Sequence, residues 1–510
     1  MNQLKSGLLG QIIKIVLLAL FNAIFGYMAY VAFLADQPVI GGVLSAVVVV
    51  ADIIYLHPRF VASKFLLPGL VLMSVFVIVP ILYTILMSGY NYKTGNELNK
   101  QDAIVQVLGN GLSQDQSGAT YDMRLGKKDG KLVALLTEQT SKQVLLGENQ
   151  KLTELAAGTF TTDKNGIATA TDNFTPISDD EAATLEAQVM ALKFADGNGK
   201  FIAPQATDTA ALMYQPLTLS EDQKTLTNSE SGEVYKDNGN GNFVAQSDGT
   251  VLYPGWREFN PAQNYIGLLT DPVIRGPFLN VFLWTITFAF VTVFIMFFAG
   301  LALALALDKK IRGRNFYRAI LILPYAIPSF MSILIWNGMF NREFGAVNAL
   351  LGFQVDWYND PFLAKVVILV VNLWLGFPYF YLIATGALQA LPSDVQEAAQ
   401  IDGANGRQIF RLIKLPLLFQ ILAPLLIASF AFNFNNFNLI YLLTGGGPTN
   451  VLAGETAGAT DILITYAYKT AFGSAEQNLG LASAISVIMF LIVGALSMWS
   501  LRRSKVLEEI

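Results

Sequence analysis

Cysteine is absent from all 510 residues, which excludes disulfides, iron–sulfur clusters and thiolate chemistry and leaves the compartment unmarked. Histidine occurs once, as His57, in a short loop ahead of Pro58 and Arg59; a lone loop histidine is an interfacial side chain, and no role is assigned to it. The chain contains no G-x-x-x-x-G-K-[ST] phosphate loop, so ATP hydrolysis belongs to another chain if it is needed at all. No zinc-ligand cluster and no nucleophile–base pair are legible, which argues against an enzyme. Charge is scarce too: 14% of residues are Asp, Glu, Lys or Arg, against about a quarter in an ordinary soluble domain. A net charge of −5, spread over the chain, implies no nucleic-acid partner.

What fills the chain instead is hydrocarbon. Hydrophobic residues make up 53% and mean hydropathy is +0.46. Apolar runs of about 20 residues, enough to cross ~30 Å of lipid as helices, predict eight spans at 11–34, 38–56, 65–88, 278–307, 317–340, 362–388, 417–443 and 480–501. The first run is too long for a signal-peptide core and leads straight into another, so it is expected to be retained. Lys5, then Arg59 and Lys64, then Lys309, Lys310, Arg312, Arg314 and Arg318, then Arg407, Arg411 and Lys414, then Arg502, Arg503 and Lys505 fall in alternate connections. Such an excess marks the cytoplasmic side, so both termini are placed there. Prolines 68, 80, 324, 328, 378 and 424 interrupt spans and permit kinks.

Residues 90–276 are different: polar, rich in Gly, Asp, Asn, Thr and Lys, with no run able to span. Asp129-Gly130, Asn165-Gly166 and the Asn-Gly alternation at 238–242 are hairpin signals beside apolar strands. A folded, β-rich domain outside the cytoplasm is expected, between an N-terminal three-helix part (1–89) and a five-helix core (277–510).

Three spans carry polar residues on one helical face. Ser429, Asn433 and Asn436 stand at i, i+4 and i+7 with Phe432 beside them; Tyr325 and Ser329 stand at i, i+4; Asn372, Gly376 and Tyr379 at i, i+4, i+7. Polar groups in a membrane helix find partners or line a wet cavity. Interhelical hydrogen bonding and small-residue packing explain any one of them equally well, but three such faces favour a shared cavity. Asn and Ser offer donors and acceptors and Tyr and Phe can stack on a sugar ring, which suits a neutral, hydroxyl-rich ligand. These spans lack an acid–base relay, which weighs against proton coupling.

In the connection 389–416, Glu397-Ala398-Ala399 is followed by Gly403 and then by Ile413-Lys414-Leu415-Pro416. Pro392-Ser393-Asp394 offers a helix start, Glu397 to Ala404 favour helix, and Gly403 and Gly406 are read as loosening the chain. The whole spaced pattern resembles the cytoplasmic coupling loop of ABC-type importer permeases. Stretches 322–329 (ILPYAIPS), 372–379 (NLWLGFPY) and 429–437 (SFAFNFNNF) extend the resemblance over the length of the chain to the MalF-type permease subunits of bacterial maltose/maltodextrin ABC importers.

That resemblance implies an α-helical polytopic protein of the inner membrane with an ABC importer permease core and a large β-rich periplasmic domain of immunoglobulin-like fold. It implies maltose contacts at Tyr325, Ser329, Asn372, Leu375, Gly376, Tyr379, Ser429, Phe432, Asn433 and Asn436. ATPase coupling is implied for Glu397, Ala398, Ala399, Asp402, Gly403, Ile413, Leu415 and Pro416. The implied partners are a second permease of MalG type, a cytoplasmic ATPase dimer of MalK type that binds ATP and Mg, and a periplasmic maltose-binding protein. No metal or cofactor is expected in this chain. Other readings are an importer for another oligosaccharide, a secondary sugar transporter, or a membrane-anchored sensor or assembly factor.

Overall fold

The computed structural model describes residues 8–115, 118–197, 199–308, 312–449, 457–473 and 476–503; Lys5, Lys309, Lys310 and Lys505 of the charge ladder lie outside them. The chain divides into two compact units, Met1–Leu86 and Met87–Ile510. Among the described residues, seven helices are long and apolar enough to cross a membrane, or eight when one bent pair is counted as a span.

The first unit is built from α1 (Leu8–Leu34), α2 (Pro38–Leu56) and α3 (Val61–Met73), which passes through a π turn at Ser74–Ile78 into α4 (Val79–Met87). Asp52, a carboxylate within an apolar helix, is answered by Asn22, whose Nδ2 donates to both of its oxygens at 2.9 and 3.1 Å. Pro68 sits inside α3 without breaking it.

After α5 (Lys100–Asn110) come the strands. β1 (Ser113–Gln114) precedes β2 (Thr120–Lys128) and β3 (Lys131–Glu138), the hairpin expected at Asp129-Gly130. Those two residues have φ of +52° and +77°, the left-handed values a two-residue turn needs. β4 (Val144–Glu148) and β5 (Lys151–Glu154) are joined the same way by Asn149-Gln150, a turn without glycine and so without a sequence signal. β6 (Phe160–Thr162) and β7 (Ala168–Thr171) flank Asn165-Gly166 as expected.

β8 (Thr175–Pro176), α6 (Asp179–Thr184), α7 (Glu186–Met190), β9 (Phe194–Ala195), β10 (Lys200–Pro204) and β11 (Thr209–Tyr214) complete the large sheet. Its order is β1-β11-β10-β9-β5-β4-β3-β2-β8, and β2 also pairs with β11, so the sheet closes on itself. The β-rich domain is therefore as expected, but the immunoglobulin-like fold is not: there is a ring around Met123, Leu136, Phe194 and Ile202 rather than two facing sheets. The reason is the length of β2. Its free edge serves β8 at Gly126 and Lys127 and β11 at Thr120–Asp122, and closure leaves few exposed edges. A separate meander, β12 (Leu217–Leu219), β13 (Thr225–Asn228), β14 (Val234–Asp237) and β15 (Phe243–Ala245), packs with α5 around Phe243 and Trp256.

The domain is rooted on the helical core at its neck. Asn264, in α8 (Gln263–Thr270), donates to the carbonyls of Ser88 and Tyr90 at 2.8 and 2.9 Å. Gly480 N donates to Tyr92 O at 3.0 Å, and any Cβ at Gly480 would overlap the Tyr90 carbonyl.

The core helices follow: α9 (Pro272–Ala306), α10 (Arg314–Ala326), α11 (Ser329–Met339), α12 (Ala346–Leu351), α13 (Pro361–Gln389), α14 (Ser393–Ile401) and α15 (Gly406–Ile409). A π turn at Phe410–Lys414 leads into α16 (Leu415–Phe434), and α17 (Phe437–Leu443), α18 (Leu463–Tyr468) and α19 (Leu479–Arg503) complete the bundle. α9 starts at Pro272, capped by the Asp271 side chain, so it takes in residues expected in the domain 90–276.

Two spans expected to be continuous are broken. In the span expected at 317–340, α10 and α11 meet at 93°. Ile327 is extended (ψ 134°) because the following Pro328 disfavours helix at the residue before it. The span expected at 417–443 ends at Phe434; Asn435 and Asn436 leave helical geometry and the Asn436 side chain caps α17 by accepting from Leu439 N. Pro378 and Pro424, by contrast, lie inside unbroken helices.

α9 and α13 cross at Gly300. A Cβ there would stand 2.6 Å from the backbone of Phe380 and Tyr381, so only glycine permits this approach. Gly300→Val should therefore destabilise the core by about 1–3 kcal/mol through overpacking, read as a lowered thermal unfolding midpoint of the detergent-solubilised protein; an unchanged midpoint would refute the packing argument.

Candidate functional site

Both helix breaks border one cavity of about 680 Å³. All ten residues of the expected binding set line it. Tyr325 and Ser329 do not share a helical face, as expected from their spacing, but stand on either side of the α10–α11 bend. Asn436 likewise lies beyond the end of α16, at the cap of α17, rather than on the face of Ser429 and Asn433. The bends bring both residues to the same space by another route.

The opposite wall is α13, which presents Asn372, Leu375, Gly376 and Tyr379. Gly376 lets the Met296 side chain of α9 lie directly against α13; a Cβ there would displace the Met296 thioether. Asn372 and Asn433 are both buried, and Asn372 Nδ2 donates to Asn433 Oδ1 at 2.8 Å. Asn433 Nδ2 in turn donates to Ser429 O at 2.8 Å. These two asparagines thus tie α13 to α16, which is the interhelical bonding that the residue types alone left open. Tyr325 and Phe432 are largely exposed to the cavity side, 58% and 70%, and offer aromatic surface for an apolar sugar face.

Sequence reasoning missed Met296, Phe380, Ala428 and Asn438, which also line the cavity. Asn438 was hidden by the assumption of one continuous helix, in which it points about 200° away from Asn436; the break between α16 and α17 turns it inward. Met296 and Phe380 carried no signal, being ordinary apolar residues of spans.

The segment 389–416 forms a second feature. α14 carries Glu397, Ala398 and Ala399, with Glu397 and Ala398 exposed. Asp402 is its C-cap residue and Gly403, at φ +84°, closes it. Gly403 N donates to Gln400 O and Ala404 N to Ala399 O, a Schellman motif that satisfies the last carbonyls. Gly403 therefore stiffens the turn instead of loosening it. Gly406 follows a capping box between Asn405 and Gln408, another rigid joint. Ile413 falls in the π turn, and Pro416 stands in the first turn of α16. The widened turn uses an i to i−5 bond, Leu415 N to Phe410 O, just before the proline that lacks an N–H.

The outer side of this segment is apolar as well as acidic: Ile401 is 87% exposed, and Val395 and Leu412 are exposed too. Its inner side is continuous with the bundle. Leu391, Leu418 and Leu422 pack in one buried cluster with Met296, Leu301 and Phe380, and Leu415 leans on it. Two of that cluster's members line the cavity.

Comparison with known proteins gives a family. A family model described as binding-protein-dependent transport system inner membrane component matches residues 296–504. Another, the N-terminal part of the membrane subunit in binding-protein-dependent ABC transporters, matches residues 71–150. The chain is 35% identical over 509 residues to the maltose/maltodextrin transport system permease protein MalF of Vibrio vulnificus, covering 98% of this chain and 95% of that one. It is 37% identical over 472 residues to the MalF protein of Escherichia coli (strain K12), covering 89% and 88%. Among solved structures, a bacterial ABC transporter that imports the acidic polysaccharide alginate matches 48% of this chain and 82% of its own at 19% identity, with a TM-score of 0.41.

Asn372→Ala removes the donor to Asn433 Oδ1 and should lower stability by about 1 kcal/mol, as should Asn433→Ala. The double variant should lose less than the sum of the two. Thermal unfolding of the three variants checks this, and strict additivity would show that the bond is not worth a coupling energy.

Proposed function

The chain belongs to the MalF-type permeases of the binding-protein-dependent transport family, and we propose that the cavity between its broken helices is where maltose and maltodextrins cross. It is a multi-pass inner-membrane subunit of an ABC importer, a transport component rather than an enzyme. The observation that carries the site assignment is the convergence of nine polar, aromatic or small residues, with Leu375, from α10, α11, α13, α16 and the cap of α17 on one space. Its amides and hydroxyls can exchange hydrogen bonds with sugar hydroxyls, and Tyr325, Tyr379 and Phe432 can cover apolar ring faces.

This chain supplies half of a pathway, and a second permease of MalG type supplies the other half. A MalK-type ATPase dimer, holding ATP and Mg, docks on the segment from Glu397 to Pro416, with Ile401, Val395 and Leu412 as its apolar anchors. The β-rich domain and the mouth of the core meet a periplasmic maltose-binding protein. Both termini face the cytoplasm. A push on α14 passes through the Leu391–Leu418–Phe380 cluster and along α16, moving the wall that bears Ser429, Phe432 and Asn433. The sugar site and the ATPase are linked by packing.

Reconstitution in proteoliposomes with the partner subunits and a panel of liganded binding proteins tests the reading. Maltose should stimulate ATP hydrolysis and enter; response only to another oligosaccharide would reassign the substrate, and uptake without the ATPase would indicate a secondary transporter. Asn433→Ala/Asn436→Ala should cut uptake by at least about tenfold at unchanged assembly, and normal uptake would remove both from the site. Glu397→Lys or Gly403→Val should separate ATP hydrolysis from uptake with insertion intact; unaltered uptake would sink the docking assignment.

A further inference from the structure

One carboxylate that plays no part in the cavity is wholly buried in the core. Asp461 has no exposed surface. Its Oδ2 accepts from Lys469 Nζ at 2.7 Å and from Gly458 N at 2.7 Å. Among the described residues its Oδ1 makes no further hydrogen bond, and it lies against Gly446, where any Cβ would overlap it and would come within 2.6 Å of Lys469 Nζ. Burial pushes the Asp461 carboxyl above its ordinary value, and Lys469 opposes that shift.

The surroundings show what the pair holds. Gly445 and Gly446, at φ +60° and +81°, make the turn that ends α17. That turn is stitched to the segment before α18: Thr460 N donates to Gly446 O at 3.1 Å, Thr460 Oγ1 to Gly447 O at 2.5 Å, and Ala459 N to Pro448 O at 2.8 Å. The Thr444 and Thr460 hydroxyls meet at 2.8 Å. Leu443 O, at the end of α17, accepts from Asn337 Nδ2 of α11 at 2.6 Å. Phe437 and Tyr441 of α17 meet the Tyr468 ring edge-on, with centroids 5.1 and 5.5 Å apart. The hydrogen bonds that hold the C-terminal end of α17 to the segment before α18 thus gather on the turn over the ion pair.

We propose that the Asp461–Lys469 ion pair is a positioning element for the sugar site, fixing through the Gly445–Gly447 turn the angle at which α17 presents Asn436 and Asn438. α17 is seven residues long and is separated from α16 by a break, so no continuous helix sets its direction. A hydrophobic contact alone would hold it loosely, because apolar packing is non-directional. A buried ion pair is valuable here for geometry, since its two ends must meet in one arrangement. The inference rests on the cavity being the sugar site.

The test uses the complete reconstituted importer with its binding protein and labelled maltose, scored per assembled complex. Asp461→Asn retains shape and the Gly458 bond but loses the charge; Lys469→Met loses it from the less buried partner; Lys469→Arg keeps it. The first two should raise the KM for uptake about three- to tenfold with kcat within about twofold, and the arginine variant should restore KM. A merely structural pair would lower the amount of assembled complex and leave KM unaltered. Unchanged KM in Lys469→Met overturns the proposal even where Asp461→Asn does not assemble. Absence of maltose uptake by the unsubstituted importer overturns the site reading itself, a distinct outcome.

Discussion

Inside a membrane every backbone N–H and C=O must find a partner within the protein, and an interrupted helix is tolerated only where protein or a wet cavity receives the freed groups. That constraint organises this molecule. Most spans obey it with unbroken helices, even across Pro378 and Pro424. Two do not, and their interruptions at Ile327-Pro328 and Asn435-Asn436 border the same cavity. The asparagine that ends one helix caps the next, so the break supplies its own partners and still leaves polar side chains facing the space. Site and interruption are one feature.

The same logic governs the segment 389–416. Its turns are closed by Gly403 in a Schellman motif and by the Asn405–Gln408 capping box, so few orphan groups are left to make it pliable. A rigid segment transmits displacement; a loose one absorbs it. From Pro416 to Asn433 the helix α16 covers about 26 Å at 1.5 Å per residue, joining the segment 389–416 to the cavity wall with no interruption. The tight crossing at Gly300 and the Asn372–Asn433 bond bind α9, α13 and α16 to one another, which favours movement as a body. Interfaces of this density shift between discrete arrangements and do not deform continuously.

The β-rich domain follows a different rule. In water its backbone can be satisfied by solvent, but exposed strand edges invite association. Ring closure through β2 and β11 removes most of them. Its neck is bonded to α8 and to the start of α19.

By itself the sequence determined that this is a membrane protein, where its spans lie, that a β-rich domain interrupts them, and which residue types line the cavity. Those follow from composition and from periods of 3.6 and 2, which are local. The hairpin at Asp129-Gly130 was legible because glycine marks its turn, whereas the one at Asn149-Gln150 carries no such mark. Tertiary structure alone decided that two spans break, that Asn438 turns inward, and that the sheet closes as a ring instead of an immunoglobulin-like sandwich. It also decided that Gly403 locks a turn and that Asp461 meets Lys469 beneath Gly446. Such outcomes depend on which partner a backbone group or a buried charge finds across the fold. The spacing of residues along one helix holds no record of that partner.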